Sequence, residues 1–223
     1  MQVTSKSLLI LGLMFASLTV DAINYVGIDY KSRDMRGRNY KSYAMREVFG
    51  KSYTSAEFYV THRFDDDVGI NLGLESSKTT KKRHVFVNNE MFLGDLALSG
   101  QRTDIRARIQ AAHVDVTGFI KIAEKFEAVG QLGFALMQVK TNASVFNGVS
   151  TRDINASHNI NCIPRLGFGV QYFTNYKLGI RVLANWEGTN SLHMKLTDED
   201  GLRHNINPFR QSWSIALGLV RNF

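Results

Sequence analysis

The stretch that most narrows what this chain can become is its end, Trp213 to Phe223, in which Trp213, Ile215, Leu217 and Leu219 alternate with Ser214, Ala216 and Gly218. Period two places the first set on one face of a strand and the second on the other. One face needs apolar surroundings and the other a crowded polar one. Lipid outside and a packed lumen inside supply both, as in a transmembrane barrel.

The same alternation runs back through the chain. Val26, Ile28 and Tyr30 oppose Gly27, Asp29 and Lys31; Ala56, Phe58, Val60 and Phe64 oppose Glu57, Tyr59, Thr61 and Arg63. After Asp65-Asp66-Asp67, a polar turn, Ile70, Leu72 and Leu74 oppose Gly69, Asn71, Gly73 and Glu75. Val114, Val116 and Ile120 then oppose His113, Asp115 and Thr117, and past a second turn at Ala123-Glu124-Lys125, Ala128, Leu132, Phe134 and Leu136 oppose Glu127, Gln131, Gly133 and Ala135. Leu166, Phe168, Val170 and Tyr172 oppose Arg165, Gly167, Gly169 and Gln171; a third turn at Thr174-Asn175-Tyr176 leads to Ile180, Val182, Ala184 and Trp186 opposite Arg181, Asn185 and Glu187. The reading is an all-β chain of eight antiparallel strands, up and down, closed into a transmembrane barrel with three short turns and four long loops. The loops are expected over Lys31 to Ser52, Ser76 to about Gln110, Thr141 to Cys162 and Gly188 to Gln211. An even strand count puts both ends on the short-turn side.

A soluble sandwich also alternates, but its polar face meets water and carries lysines. Here the polar faces carry Gly, Asn, Gln, Glu and Arg. Aromatic residues sort to the strand ends: Tyr30, Tyr53, Trp186 and Trp213 toward the long loops, Tyr25, Phe64, Phe126, Tyr172 and Phe223 toward the short turns. Two such belts match two membrane interfaces.

Three stretches carry a family resemblance. The closing strand resembles that of bacterial outer-membrane barrels, with Phe223 in the place of the terminal aromatic that the barrel-assembly machinery reads; Arg221 stands where that family has an aromatic or apolar residue. Residues 114–137 resemble the central hairpin of the small OmpA-like barrels (opacity, OmpX and OmpW types), and Pro164 to Phe173 is similar to their sixth strand. The resemblance implies an integral outer-membrane protein with a structural or surface-display role, in envelope integrity or adhesion. A narrow porin-like channel and a lipid A modifying enzyme are the alternatives. The chain stops at Phe223, so the peptidoglycan-binding domain that some members carry is expected to be absent.

The N-terminus reads as a cleavable signal: Lys6, then the apolar run Ser7 to Val20, then Val20-Asp21-Ala22 at the cleavage site. Residues 1–22 are assigned to the signal and 23–223 to the barrel. That apolar run is shorter than the ~20 residues of a membrane helix.

Candidate chemistry follows from the faces. Asp29, Glu57, Arg63, Glu75, Asp115, Glu127, Arg165, Arg181 and Glu187 point inward and are expected to interlock as a lumen charge network, because an eight-stranded barrel is only wide enough for its own side chains. Arg33, Arg36, Arg38, Lys41, Lys81, Lys82 and Arg83 are expected on surface loops. With a formal charge of +7, these loops suit outer-membrane lipid and lipopolysaccharide, or a host or polyanionic surface ligand, rather than nucleic acid. His113 and Asp115 share a face without a nucleophilic serine elbow, so no catalytic residue is assigned; no metal site and no cofactor is expected. Cys162, the single cysteine, is placed at a loop edge.

Overall fold

Short polar connections and long alternating runs force neighbouring segments to pair as hairpins, and the computed structural model shows where each hairpin ends. It describes residues 25–37, 52–92, 95–146, 149, 151–157, 160–174, 177–189, 192, 194–197, 203–206 and 209–223; over 36–37, 90–91, 95, 152–157, 194–197 and 203–206 it describes the backbone alone. The expected signal segment, Arg38 and Lys41 lie outside the described residues, as does the side chain of Arg36.

The described strands are β1 (Tyr25–Gly37), β2 (Ser52–Arg63), β3 (Val68–Ser77), β4 (Thr80–Val85), β5 (Glu90–Phe92), β6 (Asp95–Ala97), β7 (Arg102–Ala123), β8 (Phe126–Phe146), β9 (Thr151–Ser157), β10 (Asn161–Phe173), β11 (Leu178–Glu187), β12 (Met194–Thr197), β13 (Arg203–Ile206) and β14 (Phe209–Asn222). Eight of them close a ring: β1 pairs β2, then β3, β7, β8, β10, β11 and β14 follow, and β14 returns to β1. Every pairing in the ring is antiparallel. Closure leaves the staves without an open edge, the condition for burying a sheet in lipid.

The first turn is built by its aspartates. The Asp65 carboxylate accepts from the amides of Asp67 and Val68 at 2.8 and 2.6 Å, a local bond that makes this residue type a turn former. Glu124 and Lys125 make the second turn. Lys177, in the third, takes a left-handed backbone with φ 59°.

Two expected loops are in large part sheet. β7 and β8 run for 22 and 21 residues, about twice what crossing a membrane requires, and pair along their length from Arg102↔Phe146 to Ala123↔Phe126. Beside them β4 pairs β7, and β9, β12 and β13 extend the sheet beyond β8. Alternation continues through this extension with its polarity reversed. In the spanning part of β7, Val114 and Val116 face out while His113, Asp115 and Thr117 are buried; above it, Arg102, Arg106 and Arg108 are exposed while Ile105, Ala107 and Ile109 are buried. The reversal falls between Arg108 and Ala112, where the outward residues change from charged to apolar. Cys162 is likewise a strand residue, exposed on β10 opposite Leu136.

Inside, the molecule is packed in three layers. On the long-loop side a cluster including Met35, Tyr53, Phe86, Phe92, Ile105, Ile109, Met137, Ile163, Leu192 and Phe209 closes over the barrel. On the short-turn side Tyr25, Tyr59, Phe119, Val129, Leu183, Ala216 and Val220 form a second cluster. Between them lies a layer of charge.

Candidate functional site

The charge layer is held by side chains from six staves. Lys31 on β1 reaches Glu57 on β2 and, at 3.2 Å, Glu75 on β3. Arg33, two residues on, forks to both Glu75 oxygens at 2.8 and 2.7 Å and also binds Glu187 of β11 across the lumen. Ser55 donates to Glu75 at 2.6 Å. Lower down, Arg181 pairs with Asp29 while its guanidinium lies 3.4 Å from the centre of the Tyr59 ring. Arg165 of β10 is 3.5 Å from both Asp115 of β7 and the amide oxygen of Asn185.

His113 sits between two of the acids, its Nε2 at 3.0 Å from Glu57 and its Nδ1 at 2.8 Å from Asp115. Its room comes from glycine: His113 is paired with Gly73 on β3, and a methyl group there would strike the imidazole. Gly27 accommodates the Tyr59 ring in the same way.

Of the inward charges read from the sequence, Asp29, Glu57, Glu75, Asp115, Arg165, Arg181 and Glu187 therefore meet in this layer. Arg63 and Glu127 do not. They pair with each other at 3.1 Å nearer the short turns, where Gln171 donates to Glu127 at 2.6 Å and Arg63 lies 4.1 Å from the centre of the Phe119 ring. Arg33 corrects the sequence reading: expected on a surface loop, it is 1% exposed in the lumen. The strand that begins at Tyr25 continues to Gly37, so Arg33 keeps the inward parity of Asp29 and Lys31. Lys31 and His113 are the other additions, and all three were visible as odd-numbered positions on strands whose odd positions face inward.

Aromatic positions divide similarly. Tyr30, Phe64, Trp213 and Phe223 are exposed on the outer face, and Trp186 and Tyr172 are half-buried there, Tyr172 against Phe126 at 4.8 Å between ring centres. Tyr25 and Tyr53 were expected in the belts and are instead buried inside. Their parity already assigned them inward, and position near a strand end does not override parity.

A second candidate lies outside. Lys81 and Arg83 are exposed on β4, a strand where a loop was expected, while Lys82 points to the opposite face and is half-buried. The pairings set Lys81 beside Arg106, Arg83 beside Asp104 and Arg108 beside Lys140. Arg83 binds Asp104 at 2.8 Å; that bond, with Arg102 and Arg106 nearby, holds the Asp104 carboxyl below its usual range. Sequence reasoning missed Arg102, Arg106, Arg108 and Lys140. The period-two spacing of Arg102, Asp104, Arg106 and Arg108 was the available signal.

No protein-family model matches the chain, and no curated protein sequence matches it. Among solved structures it is similar to Ail, the attachment invasion locus protein of Yersinia pestis, in complex with the heparin analogue sucrose octasulfate (TM-score 0.49, 12% identity, 90% of this chain and 98% of that one). Neisserial surface protein A gives a TM-score of 0.49 at 12% identity over 89% and 96%. The outer-membrane protease OmpT from Escherichia coli gives 0.45 at 8% over 90% and 94%. Such likeness concerns fold alone, and the ring of pairings establishes that fold independently. It is a closed, antiparallel ring of eight strands. In this barrel the inward charges Asp29, Lys31, Arg33, Glu57, Glu75, Arg181 and Glu187 are paired with one another inside the ring.

Proposed function

We propose that the chain is an integral protein of a bacterial outer membrane, released from a signal at residues 1–22 and inserted as a barrel over residues 23–223, with Phe223 as its assembly signal. Its role is structural and surface display: a filled cylinder holds a rigid basic sheet above the membrane for adhesion or envelope integrity. The observation that carries this reading is the lumen, where a charge layer is closed above and below by apolar side chains. Ion pairs buried this deeply lock a barrel and obstruct water, which favours display over the narrow-channel alternative.

The test is reconstitution of the purified barrel in planar bilayers. No steady conductance is expected; defined single-channel steps would replace this reading with the channel. Adhesive binding is probed with immobilised heparin. Retention that weakens with salt and is lost in Lys81→Thr/Arg83→Thr supports a polyanion ligand, and unchanged retention in that variant contradicts it. Lipid A of unaltered mass in a deletion strain is expected; an altered mass would favour the enzyme.

A further inference from the structure

The six cations Lys81, Arg83, Arg102, Arg106, Arg108 and Lys140 share one face of β4, β7 and β8, with Asp104 as the carboxylate among them. Strands lie ~4.8 Å apart and same-face neighbours along a strand about 7 Å, so the charges form a dense lattice. Like charges set this closely oppose one another unless an anion lies on them. Asp104 is engaged by Arg83, and Arg108 donates to Ser76 at 2.7 Å, which fixes its direction. Arg102 lies 5.6 Å from the centre of the exposed Phe146 ring.

The direction of this face decides its partner. Arg102, Arg106 and Arg108 have the parity of Val114 and Val116, the hydrocarbon-facing residues of the same strand. The lattice begins one polarity change above the apolar belt and faces sideways, while the apolar cap fills the opposite side of the sheet. Phosphorylated headgroups of the surrounding leaflet occupy that height and direction. We infer that the outer face of β4, β7 and β8 is a binding surface for the phosphate groups of membrane lipids bordering the long-loop end of the barrel. This inference rests on the proposed membrane insertion and gives the sheet a fixed neighbour besides any soluble ligand.

The experiment is electron spin resonance of the refolded full chain in phosphatidylcholine bilayers containing traces of spin-labelled phosphatidic acid or phosphatidylcholine, which reports the headgroups next to the protein. The wild type is expected to favour phosphatidic acid about threefold, less at high salt. Lys81→Thr/Arg106→Thr/Arg108→Thr is expected to lose most of that preference. Lys82→Thr, on the opposite face of β4, is expected to keep it. Each variant is first shown to be folded by its heat-modifiable gel mobility. An undiminished preference in the folded triple variant overturns the inference and leaves the membrane barrel standing; so does a triple variant that loses heparin binding but keeps its lipid preference, which would give the face to a soluble polyanion. A wild-type chain that does not enter bilayers overturns the inference together with the insertion on which it rests.

Discussion

Arg33 ties opposite walls of the charge layer together, because it pairs with both Glu75 and Glu187. Removing one member of a buried ion pair leaves the partner's charge desolvated, at a cost of about 3–5 kcal/mol. Arg33→Ala is expected to lower unfolding stability by that amount in a urea titration of the folded barrel. Arg83→Ala, which breaks an exposed pair, is expected to leave the midpoint of that titration almost unmoved; equal losses would contradict the distinction. Inward parity was legible for Asp29, Glu57, Glu75, Asp115, Arg165, Arg181 and Glu187 because spanning strands advertise it with an apolar opposite face. Arg33 was not legible in that way: past Lys31 the outer face also turns polar, and the contrast that marks a strand disappears.

The elements show the same reversal over a longer stretch. The staves around Val114 and Phe134 were readable as strands because hydrocarbon and a polar lumen make one face apolar and the other polar. Above the membrane, β7 and β8 have water outside and the Phe86, Phe92 and Phe209 cluster inside, so arginine faces out and isoleucine faces in. A search for outward apolar rows reads such a segment as loop. Hydrogen exchange separates the two descriptions: amides of residues 103–109 and 139–145 are expected to exchange slowly, as in a paired sheet, and rapid exchange there would contradict it. The register of β3 against β7 has its own check. Gly73→Val puts a branched side chain where the His113 ring lies and is expected to destabilise the barrel by about 1–3 kcal/mol, measured by the same titration; full stability would place His113 elsewhere.

At the scale of the whole molecule, one arrangement explains the sorting of residues: a ring of eight strands, apolar on the outside of its lower part and charged on the outside of its upper part, with a buried charge layer between two apolar clusters. The number of staves, the short turns and the filled lumen were legible in the chain. The extended sheet was not: β4 pairs β7 and β12 pairs β9 across intervening strands, while β9 and β13 pair with the strands just before them without an outward apolar row to mark them. The most direct measurement uses the two native tryptophans. Trp186 and Trp213 are cross-strand partners on β11 and β14, turned to the outer face near the long-loop end, with Trp213 44% exposed. In bilayers of brominated phosphatidylcholine, their fluorescence is expected to be strongly quenched, more by bromine near the headgroup than by bromine at the chain end. A folded protein whose tryptophan emission ignores brominated lipid would show that this outer face does not lie in a membrane.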